Sequence, residues 1–346
     1  MVVLSLFDGI GCARVALERA GIKVDAYYAS EIEPSSIKIA KKNYPDTVEL
    51  GDVRKVSYKD GVLYSANGSF AVGRIDLVCG GSPCTNFSSV GYANGMSAGE
   101  MEVTSLIDYQ LLQVAGVKFD GQSYLFWEFV RIMQEVNPTY FLLENVKMAK
   151  KWENVITKAM GVEPIRINSA LLSAQNRPRL YWTNIPGVTV PEDNGISLDD
   201  VLDPDACNKD YTHALTIQRA FPRLIRKYGY VPARFNAYNA SEITDKACAL
   251  SRGSMVTSSC ATTLFVPVLD GRCEVSGGLL IGKYKTTLPD GRYNLRKLSI
   301  RECERLQTLP DDYTLCDGVT DQKRSEAIGN GWTVDVIAHL FSGMKG

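Results

Sequence analysis

A cysteine in this sequence stands where it could act as a nucleophile. Cys84 follows the apolar run Ile75–Cys79 and the turn residues Gly80-Gly81-Ser82-Pro83. A cysteine fixed after proline, just beyond the end of a strand, faces a ligand cleft. The backbone amides of a glycine turn can stabilise its thiolate. The alternative interpretation is a small buried residue in a tight turn.

Charged side chains follow other apolar runs. Glu144 comes directly after Leu142-Leu143, where a buried carboxylate is unfavourable unless it binds a partner or caps a helix. Arg177 and Arg179 are two residues apart on an extended segment, so they point the same way. Such a pair could orient a carboxylate or a phosphate.

The N-terminal region carries a pattern typical of a nucleoside site. The turn Phe7-Asp8-Gly9-Ile10-Gly11 follows the first apolar run, and its glycines allow close approach of a ligand. Glu31 lies 20 residues after Gly11, where an acid binds ribose hydroxyls. Asp52 could accept from an adenine amino group. Because the third glycine of the dinucleotide motif is missing, the pattern favours an adenosyl cofactor without a pyrophosphate; tight-turn glycines are the alternative.

Alternating strand and helix signals position these residues. The predicted strands are Val2–Phe7, Val24–Ser30, Thr47–Leu50, Ile75–Cys79, Tyr140–Leu143, Pro164–Asn168 and Leu180–Thr183. The predicted helices between them are Cys12–Ala20, Pro34–Asn43, Leu125–Val136 and Glu153–Met160. Continuous apolar strands separated by helices predict an α/β fold with a doubly wound, mostly parallel sheet. Ligands bind such a sheet at the carboxyl ends of its strands.

The pattern changes near Gly187, where Tyr, Asn, Ser, Thr and Gly increase and short irregular strands are expected. Helices return at Ser299–Leu306, where Ser299 and Glu302 form a capping-box pattern, and near Thr333–Leu340. We therefore predict a large domain of residues 1–186 and 297–346, interrupted by a smaller irregular domain of residues 187–296.

Composition excludes several classes of protein. The chain has 346 residues, 45% hydrophobic and 22% charged, as expected for a globular protein. No apolar run approaches the roughly 20 residues of a membrane span, and the first residues lack the pattern of a signal peptide, so a cytoplasmic protein is expected. The nine cysteines form no C-x-x-C pair, which argues against a disulfide scaffold and a zinc site.

Charge is distributed unevenly although the net charge is only −1. The segment Cys207–Lys297 holds 14 Lys and Arg against 6 Asp and Glu, a net charge of +8. A basic segment on an acidic body suggests a face for a polyanion, with scattered solvated side chains as the alternative.

Taken in order, these motifs resemble the cytosine-5 DNA methyltransferase family almost from end to end. The similarity is carried by Phe7-Asp8-Gly9-Ile10-Gly11, Ser82-Pro83-Cys84, Glu144-Asn145-Val146, Gln175-Asn176-Arg177-Pro178-Arg179, the helix segment Arg296–Gln307 and Gly329-Asn330-Gly331-Trp332-Thr333-Val334. The stretches Val3–Ile10 and Val334–Phe341 are locally similar to the eukaryotic de novo subfamily. The compact chain is similar to bacterial and phage enzymes.

The resemblance implies S-adenosylmethionine as the cofactor, duplex DNA as the partner and a flipped cytosine as the target. It implies catalytic roles for Cys84, Glu144, Arg177 and Arg179. The implied cofactor-binding residues are Phe7, Asp8, Gly9, Ile10, Gly11, Glu31, Ile32, Asp52, Val53, Pro83, Leu125, Asn330, Gly331 and Trp332. The residues expected to contact DNA are Ser82, Ser88, Gln175, Arg252 and Arg272, with Asn236 and Asn239 as further candidate base readers.

Residues 187–296 would then be the target-recognition domain of a bacterial or phage enzyme of the restriction-modification type, acting as a monomer without a metal. One departure from the family is the segment Gly91–Gly121, which is longer than usual. Alternatives remain: an RNA cytosine-5 methyltransferase, a catalytically silent DNA-binding relative, or a methyltransferase of small molecules, which would not explain the basic segment.

Overall fold

A computed structural model of the chain describes residues 1–83, 95–204, 206, 210–250 and 261–344. They form two compact units, each assembled from separate stretches of chain. The first contains Met1–Leu171, Pro178–Glu192 and Trp332–Gly346, and the second contains Leu172–Arg177 and Asp193–Gly331. The predicted functional division at residues 186/187 and 296/297 concerns DNA recognition and stays a prediction.

The secondary structure alternates through the first half of the chain, as predicted. The strands are β1 Val2–Leu6, β2 Ala26–Ser30, β3 Val48–Glu49, β4 Ser57–Lys59, β5 Val62–Ser65, β6 Gly68–Ala71, β7 Leu77–Gly81, β8 Ser97–Ala98, β9 Met101–Glu102, β10 Tyr140–Val146, β11 Ile165–Asn168, β12 Gln175–Asn176, β13 Pro178–Thr183, β14 Arg234–Asn236, β15 Ser241–Glu242, β16 Ala247–Cys248, β17 Thr262–Pro267, β18 Cys273–Ser276, β19 Leu279–Leu280, β20 Tyr284–Lys285 and β21 Gly291–Lys297. The α-helices are α1 Cys12–Arg19, α2 Pro34–Asn43, α3 Leu106–Val114, α4 Phe126–Val136, α5 Lys150–Met160, α6 Leu215–Tyr228, α7 Ile300–Leu306, α8 Asp321–Asn330 and α9 Val334–Phe341. Among the helices of the described residues, none is long and apolar enough to cross a membrane.

The first unit is built on a seven-stranded sheet in the order β11-β13-β10-β7-β1-β2-β3. Strands β1, β2, β3, β7 and β10 pair in parallel, and β13 is antiparallel to both of its neighbours. The strand order reverses at β1, which lies between β2 and β7. The prediction of a mostly parallel α/β sheet is confirmed, and this reversal marks the edge where such sheets bind ligands.

Close packing at the reversal depends on Gly80 of β7. A Cβ atom at this position would lie 2.5 Å from the carbonyl oxygen of Leu6, too close for any other residue. The neighbouring strand segments Val3–Leu6 and Leu77–Cys79 are buried and belong to an apolar interior that helices cover. Helix α9 returns from the C-terminal end of the chain to pack against α1, and Arg19 pairs with Asp335 at 2.6 Å.

The second unit holds an antiparallel sheet in the order β15-β14-β17-β21-β18-β19-β20. Its apolar core joins Phe235 and Leu295 of this sheet to Phe221 of α6. Helix α7 begins at the predicted capping box, in which Ser299 and Glu302 each bond the other's backbone amide.

The expectation that only short irregular strands follow Gly187 is wrong at α6. The apolar residues Ile217, Ala220, Phe221 and Leu224 of this helix recur at helical spacing and are buried. Pro222 lies inside the helix, where proline removes a backbone hydrogen-bond donor. Because an internal proline is unfavourable in a helix, its presence argues against predicting a helix here.

Candidate functional site

The loop after β1 has a backbone that brings its amides to the edge of the sheet. Phe7, Gly9 and Gly11 have φ values of 57°, 64° and 78°, in the left-handed region that glycine tolerates and other residues rarely adopt. Gly11 forms the N-cap of α1, and Ile10 is fully buried beneath the loop. The predicted glycine turn therefore exposes backbone next to a helix N-terminus, where a polar ligand can approach closely.

Glu31 is fixed at the end of β2 by backbone amides. Its Oε2 accepts from the Gly9 amide at 2.8 Å, and its Oε1 accepts from the amides of Ile32 and Glu33 at 2.7 and 2.9 Å. The side chain of Ile32 is 61% exposed, which is unusual for a large apolar residue. The structure thus presents an immobilised carboxylate beside an exposed apolar surface.

Asp52 follows β3 and pairs with Arg54. Both of its oxygens lie 3.0 Å from Arg54 Nε, and this hydrogen-bonded guanidinium lowers the pKa of Asp52. The neighbouring Val53 is buried. Asn67, at the tip of the β5–β6 hairpin, donates to the Glu49 carbonyl at 2.9 Å. If Gly51 carried a Cβ atom, that atom would lie 3.6 Å from the side-chain nitrogen of Asn67.

Sequence reasoning missed Glu49, which adds a further acid to the group at the ends of β1, β2 and β3. Removal from water, together with the charges of Asp8 and Glu31, raises its pKa to about 7 against the opposing charge of Lys41. Burial raises the pKa of Asp8 to about 6, although Ser5 and Tyr27 oppose the shift by hydrogen bonding. Tyr27 donates to Asp8 at 2.6 Å. A charged residue at the penultimate position of the predicted strand Thr47–Leu50 was the available signal for Glu49.

The end of β7 leads toward the predicted nucleophile. Asn145 of β10 donates to the carbonyl oxygen of Ser82 at 3.3 Å and to its Oγ at 3.1 Å. Ser82 is 4% exposed and its side chain positions the loop, while its contact with DNA stays a prediction. Pro83 is the last described residue before a gap. Cys84 and Ser88 lie outside the described residues.

Glu144 stands on β10 opposite Gly81 of β7. Its Oε1 lies 2.9 Å from Arg179 Nε, and its Oε2 accepts from Trp332 Nε1 at 3.2 Å. A Cβ atom on Gly81 would lie 2.9 Å from both Glu144 Oε2 and Trp332 Nε1, so only glycine leaves room for this arrangement. Strands β10 and β13 bring Glu144 and Arg179 together because Val146 is paired with Arg179 in the antiparallel register. The structure therefore joins three of the predicted site residues.

Arg177 has different partners from Arg179. It is 4% exposed, and its guanidinium donates to the carbonyl oxygens of Leu250, Gly329 and Gly331 at 2.8, 3.2 and 3.0 Å. These contacts hold segments of the second unit together. They show Arg177 in a structural setting, so its predicted catalytic role has no support from its contacts.

Gln175, which is predicted to contact DNA, lies in the interior of the second unit, and its contact with DNA stays a prediction. Its side chain has no exposed surface, it donates to the Leu306 carbonyl and the Gln307 side chain, and it accepts from the Leu250 amide at 2.9 Å. Gln175 therefore holds the interior of the second unit together. Asn330 is exposed at the end of α8, and Gly331 is the C-cap of that helix.

The other predicted residues differ in exposure. Leu125 is partly buried at the start of α4 and packs on the core of the first unit. Asn236 is 9% exposed, and its Oδ1 accepts from the amides of Tyr238 and Asn239, so it shapes a turn. Its role as a base reader stays a prediction. Asn239 is exposed, Arg272 is 66% exposed, and Arg252 lies outside the described residues.

The described cysteines are poorly suited to nucleophilic chemistry. Cys12, Cys79, Cys273 and Cys303 are buried and reduced. Burial raises the pKa of the thiols of Cys79, Cys248 and Cys273, which keeps them protonated near neutral pH.

Comparison with known proteins agrees with the geometry of the sheet edge. A family model described as C-5 cytosine-specific DNA methylase matches residues 1–109 and 115–346. The orphan methyltransferase M.Rho11sI of Bacillus phage rho11s is 29% identical over 52% of this chain and 32% of its own length. The orphan methyltransferase M.SPBetaI of Bacillus phage SPbeta is 31% identical over 53% of this chain and 44% of its own length. The matched regions thus cover less than half of each relative.

Solved structures show the same fold at low sequence identity. The Entamoeba histolytica methyltransferase EhMeth matches with a TM-score of 0.65 and 15% identity over 100% of this chain and 99% of its own. A mutant of Spodoptera frugiperda DNMT2 matches with a TM-score of 0.61 and 14% identity over 99% of both chains. The family model spans nearly all of the sequence and includes every motif at the sheet edge, so this chain belongs to the C-5 cytosine-specific DNA methylase family.

Proposed function

We propose that this chain is a DNA (cytosine-5) methyltransferase that acts on a cytosine flipped out of duplex DNA. The observation that carries the proposal is the Glu144–Arg179 pair, held by Trp332 beside the segment that leads to Cys84. A base-binding carboxylate, a guanidinium that fixes it and a nearby thiol are the groups that this reaction needs. Family membership supports the same reaction.

The residues at the ends of β1, β2 and β3 fit S-adenosylmethionine. The oriented carboxylate of Glu31 suits the ribose hydroxyls, Asp52 suits the adenine amino group, and the exposed side chain of Ile32 suits the face of the base. The group of acids formed by Asp8, Glu31 and Glu49 favours a cationic ligand. When bound, this cofactor supplies the methyl group.

Cys84 is the proposed nucleophile because cytosine C5 is too weak a nucleophile unless a thiolate first adds to C6. The Sγ–C6 bond makes the ring an enamine, and C5 can then accept a methyl group. Loss of the C5 proton to water or hydroxide and departure of the thiolate restore the double bond. The tie between Asn145 and Ser82 fixes the backbone two residues before Cys84, so we infer a positioning role for Asn145.

Glu144 is proposed to accept from the exocyclic amine of cytosine and to share a proton with N3 while negative charge develops on the ring. Arg179 and Trp332 hold the two carboxylate oxygens, so the side chain is oriented before the base arrives.

The basic segment within residues 187–296 is proposed to bind the DNA backbone, while residues 1–186 and 297–346 perform catalysis. Phosphate contacts position the protein, and contacts to base edges select the sequence. A base inside the duplex is out of reach, so the target must leave the stack before Cys84 attacks.

The decisive experiment measures transfer of labelled methyl groups from S-adenosylmethionine to duplex DNA and, in parallel, to transfer RNA. We expect methylation of DNA at cytosine, and a covalent complex with duplexes that contain 5-fluorocytosine, because fluorine cannot leave as a proton. Cys84→Ser should abolish both while preserving cofactor binding.

Cys316→Ser is the matched control, since this half-buried thiol, whose Sγ lies 3.9 Å from the Asp317 carbonyl oxygen, belongs to the second unit. It should retain both signals. Trapping by Cys84→Ser would overturn the assignment of the nucleophile, methylation of transfer RNA alone would overturn the DNA substrate, and inactivity on both would favour a silent relative.

A further inference from the structure

Helix α6 of the second unit has two faces of opposite character. Its apolar face, formed by Ile217, Ala220, Phe221 and Leu224, is buried against the sheet of the same unit. Its other side exposes four cations at helical spacing, which we call the α6 basic face: Arg219, Arg223, Arg226 and Lys227. The helix is therefore anchored by one face and leaves a strip of positive charge on the surface.

These cations have no carboxylate partner among the residues that the structure describes, and α6 itself contains no Asp or Glu. Elsewhere in the unit arginines are paired: Arg296 lies 2.7 Å from Glu302 and Arg305 lies 2.6 Å from Asp311. Like charges three or four residues apart destabilise a helix by a few tenths of a kcal/mol each. The strip thus carries a small repulsion between neighbouring cations, which an external anion would relieve.

A shallow pocket lies beside the α6 basic face. It encloses about 290 Å³ and is lined by Arg223, Arg226, Lys227, Asn239 and Ala240. Arg223 Nη1 donates to the carbonyl of Tyr238 at 2.8 Å, so this guanidinium is held at the pocket wall. Asn236 Oδ1 fixes the turn by accepting from the amides of Tyr238 and Asn239 at 2.9 and 3.2 Å. Three cations, a neutral amide and no acid make this pocket suited to a phosphate.

We propose that the α6 basic face binds backbone phosphates of the duplex DNA substrate and supplies affinity without sequence information. The inference rests on the proposed function, which makes duplex DNA the partner. From Arg219 to Lys227 the helix rises about 12 Å, roughly the axial length of three to four nucleotides of one strand. A strip of this length and charge matches a run of phosphates along one strand.

The test measures binding of a fluorescent DNA duplex over a series of salt concentrations. The main variant is the triple change Arg219→Gln, Arg223→Gln and Arg226→Gln. We expect its Kd at low salt to rise more than tenfold, and the slope of log K against log salt to fall by about 0.9 for each lost contact. The distribution of methylated sites should stay the same, because phosphates carry no sequence information.

Two controls separate contact with phosphate from other effects. Lys59→Gln removes one exposed charge of the first unit and should leave the slope unchanged. The triple arginine-to-lysine variant keeps the charges and should retain most of the affinity. The melting temperature and cofactor binding of each variant show whether it folds. If the triple glutamine variant does not fold, the single change Arg219→Gln, with an expected fall in slope of about 0.9, carries the test.

The outcomes distinguish this inference from the proposed function. If the wild-type chain methylates duplex DNA but the folded glutamine variant keeps its Kd and salt slope, the inference is overturned and the function stands. If the wild-type chain methylates no DNA, the proposed function fails. In that case the folded glutamine variant still decides the inference. A loss of affinity for RNA alone overturns the inference, and the expected fall in affinity for the DNA duplex supports it.

Discussion

The two compact units place charge in opposite ways. In the first unit, carboxylates converge at the ends of neighbouring parallel strands, where burial and the charge of Glu31 raise the pKa of Asp8 and of Glu49. In the second unit, the α6 basic face lies on the outside of a helix, and none of its cations has a carboxylate partner among the described residues. The first arrangement fits a small cationic ligand that is bound by several strands at once. The second fits an extended anion that passes along a surface.

The largest effect should come from Glu144→Gln. The variant keeps the shape of the side chain but loses its charge and its ability to share a proton with N3, so kcat should fall by about 10²- to 10⁴-fold. Cofactor affinity should change little. Single-turnover rates with duplex DNA measure the effect.

Glu153→Gln is the matched control for this change. Glu153 is also buried and paired with an arginine, Arg166, at 2.6 Å, but it lies on α5 and not at the end of a strand. Glu153→Gln should lower the melting temperature and leave the single-turnover rate of the folded enzyme near that of wild type. An equal loss of rate in both variants would mean that Glu144 acts through structure alone.

A somewhat smaller effect is expected for Glu31→Gln. Removing the charge from a carboxylate that bonds a ligand hydroxyl should weaken binding of S-adenosylmethionine by about 1.5–3 kcal/mol. Duplex affinity without cofactor should not change, because the proposed DNA contacts are elsewhere. Calorimetric titration measures the loss, with the exposed Glu18→Gln as a control for net charge. Unchanged cofactor binding would remove Glu31 from the site.

Asp8 and Glu49 predict a pH dependence of stability in the first unit. Their pKa values are raised to about 6 and about 7, so the folded state holds their protons more tightly than the unfolded chain does. Their combined contribution is therefore complete below about pH 4 and is lost as the pH rises to about 7. Asp8→Asn with Glu49→Gln should remove this loss and gain about 3 kcal/mol from the shift of Asp8 at pH 8 relative to pH 4, with a further share from the half-buried Glu49 that solvent screens.

Urea unfolding at several pH values, compared between wild type and the double variant, measures this difference. The comparison cancels the pH dependence that comes from acids whose pKa is lowered, such as Asp52 and Asp311, because both proteins retain these acids. Parallel curves for the two proteins would show that the acids at the strand ends are not coupled to folding.

The strands of the first unit were predicted well because the strands and the candidate site motifs there share one cause. Parallel strands are apolar, and polar residues at their carboxyl ends lie at the ligand edge. Glu31 follows β2 and Glu144 lies near the end of β10, so both could be placed at this edge from the pattern alone. Glu49 was missed because it is the last residue of a two-residue strand. The pairing of Glu144 with Arg179 also could not be read from the sequence, since it depends on the register of β10 with β13.

The second unit was predicted less well. Short antiparallel strands have weak periodicity, and the internal proline of α6 obscured a 14-residue helix. Gln175 and Asn236 were expected at the DNA surface, yet both are buried because their amides satisfy backbone and side-chain groups of the interior. Polar residue type alone does not distinguish a side chain that reads DNA from one that holds a turn.

The smallest effect is expected for Arg272, which tests whether exposure alone makes an arginine bind DNA. Its side chain is 66% exposed, but its Nε lies 4.0 Å from Asp210 Oδ2, so an acid already neutralises part of its field. Arg272→Gln should therefore raise the Kd for duplex DNA by about twofold at most and lower the salt slope by less than one, well below the effect of the α6 variant.

Sequencing of the methylated sites gives the sharper result for Arg272. A phosphate contact leaves the site distribution intact, whereas a base contact relaxes one position and favours the cognate base by about 1–3 kcal/mol. We expect an unchanged distribution, because a guanidinium that also attracts Asp210 lacks the fixed bidentate geometry that reads guanine. Relaxation at one position would place sequence recognition on the segment before β18. The opposite charge patterns of the two units would then explain only the affinity for DNA. The sequence specificity would depend on Arg272, which is paired with Asp210.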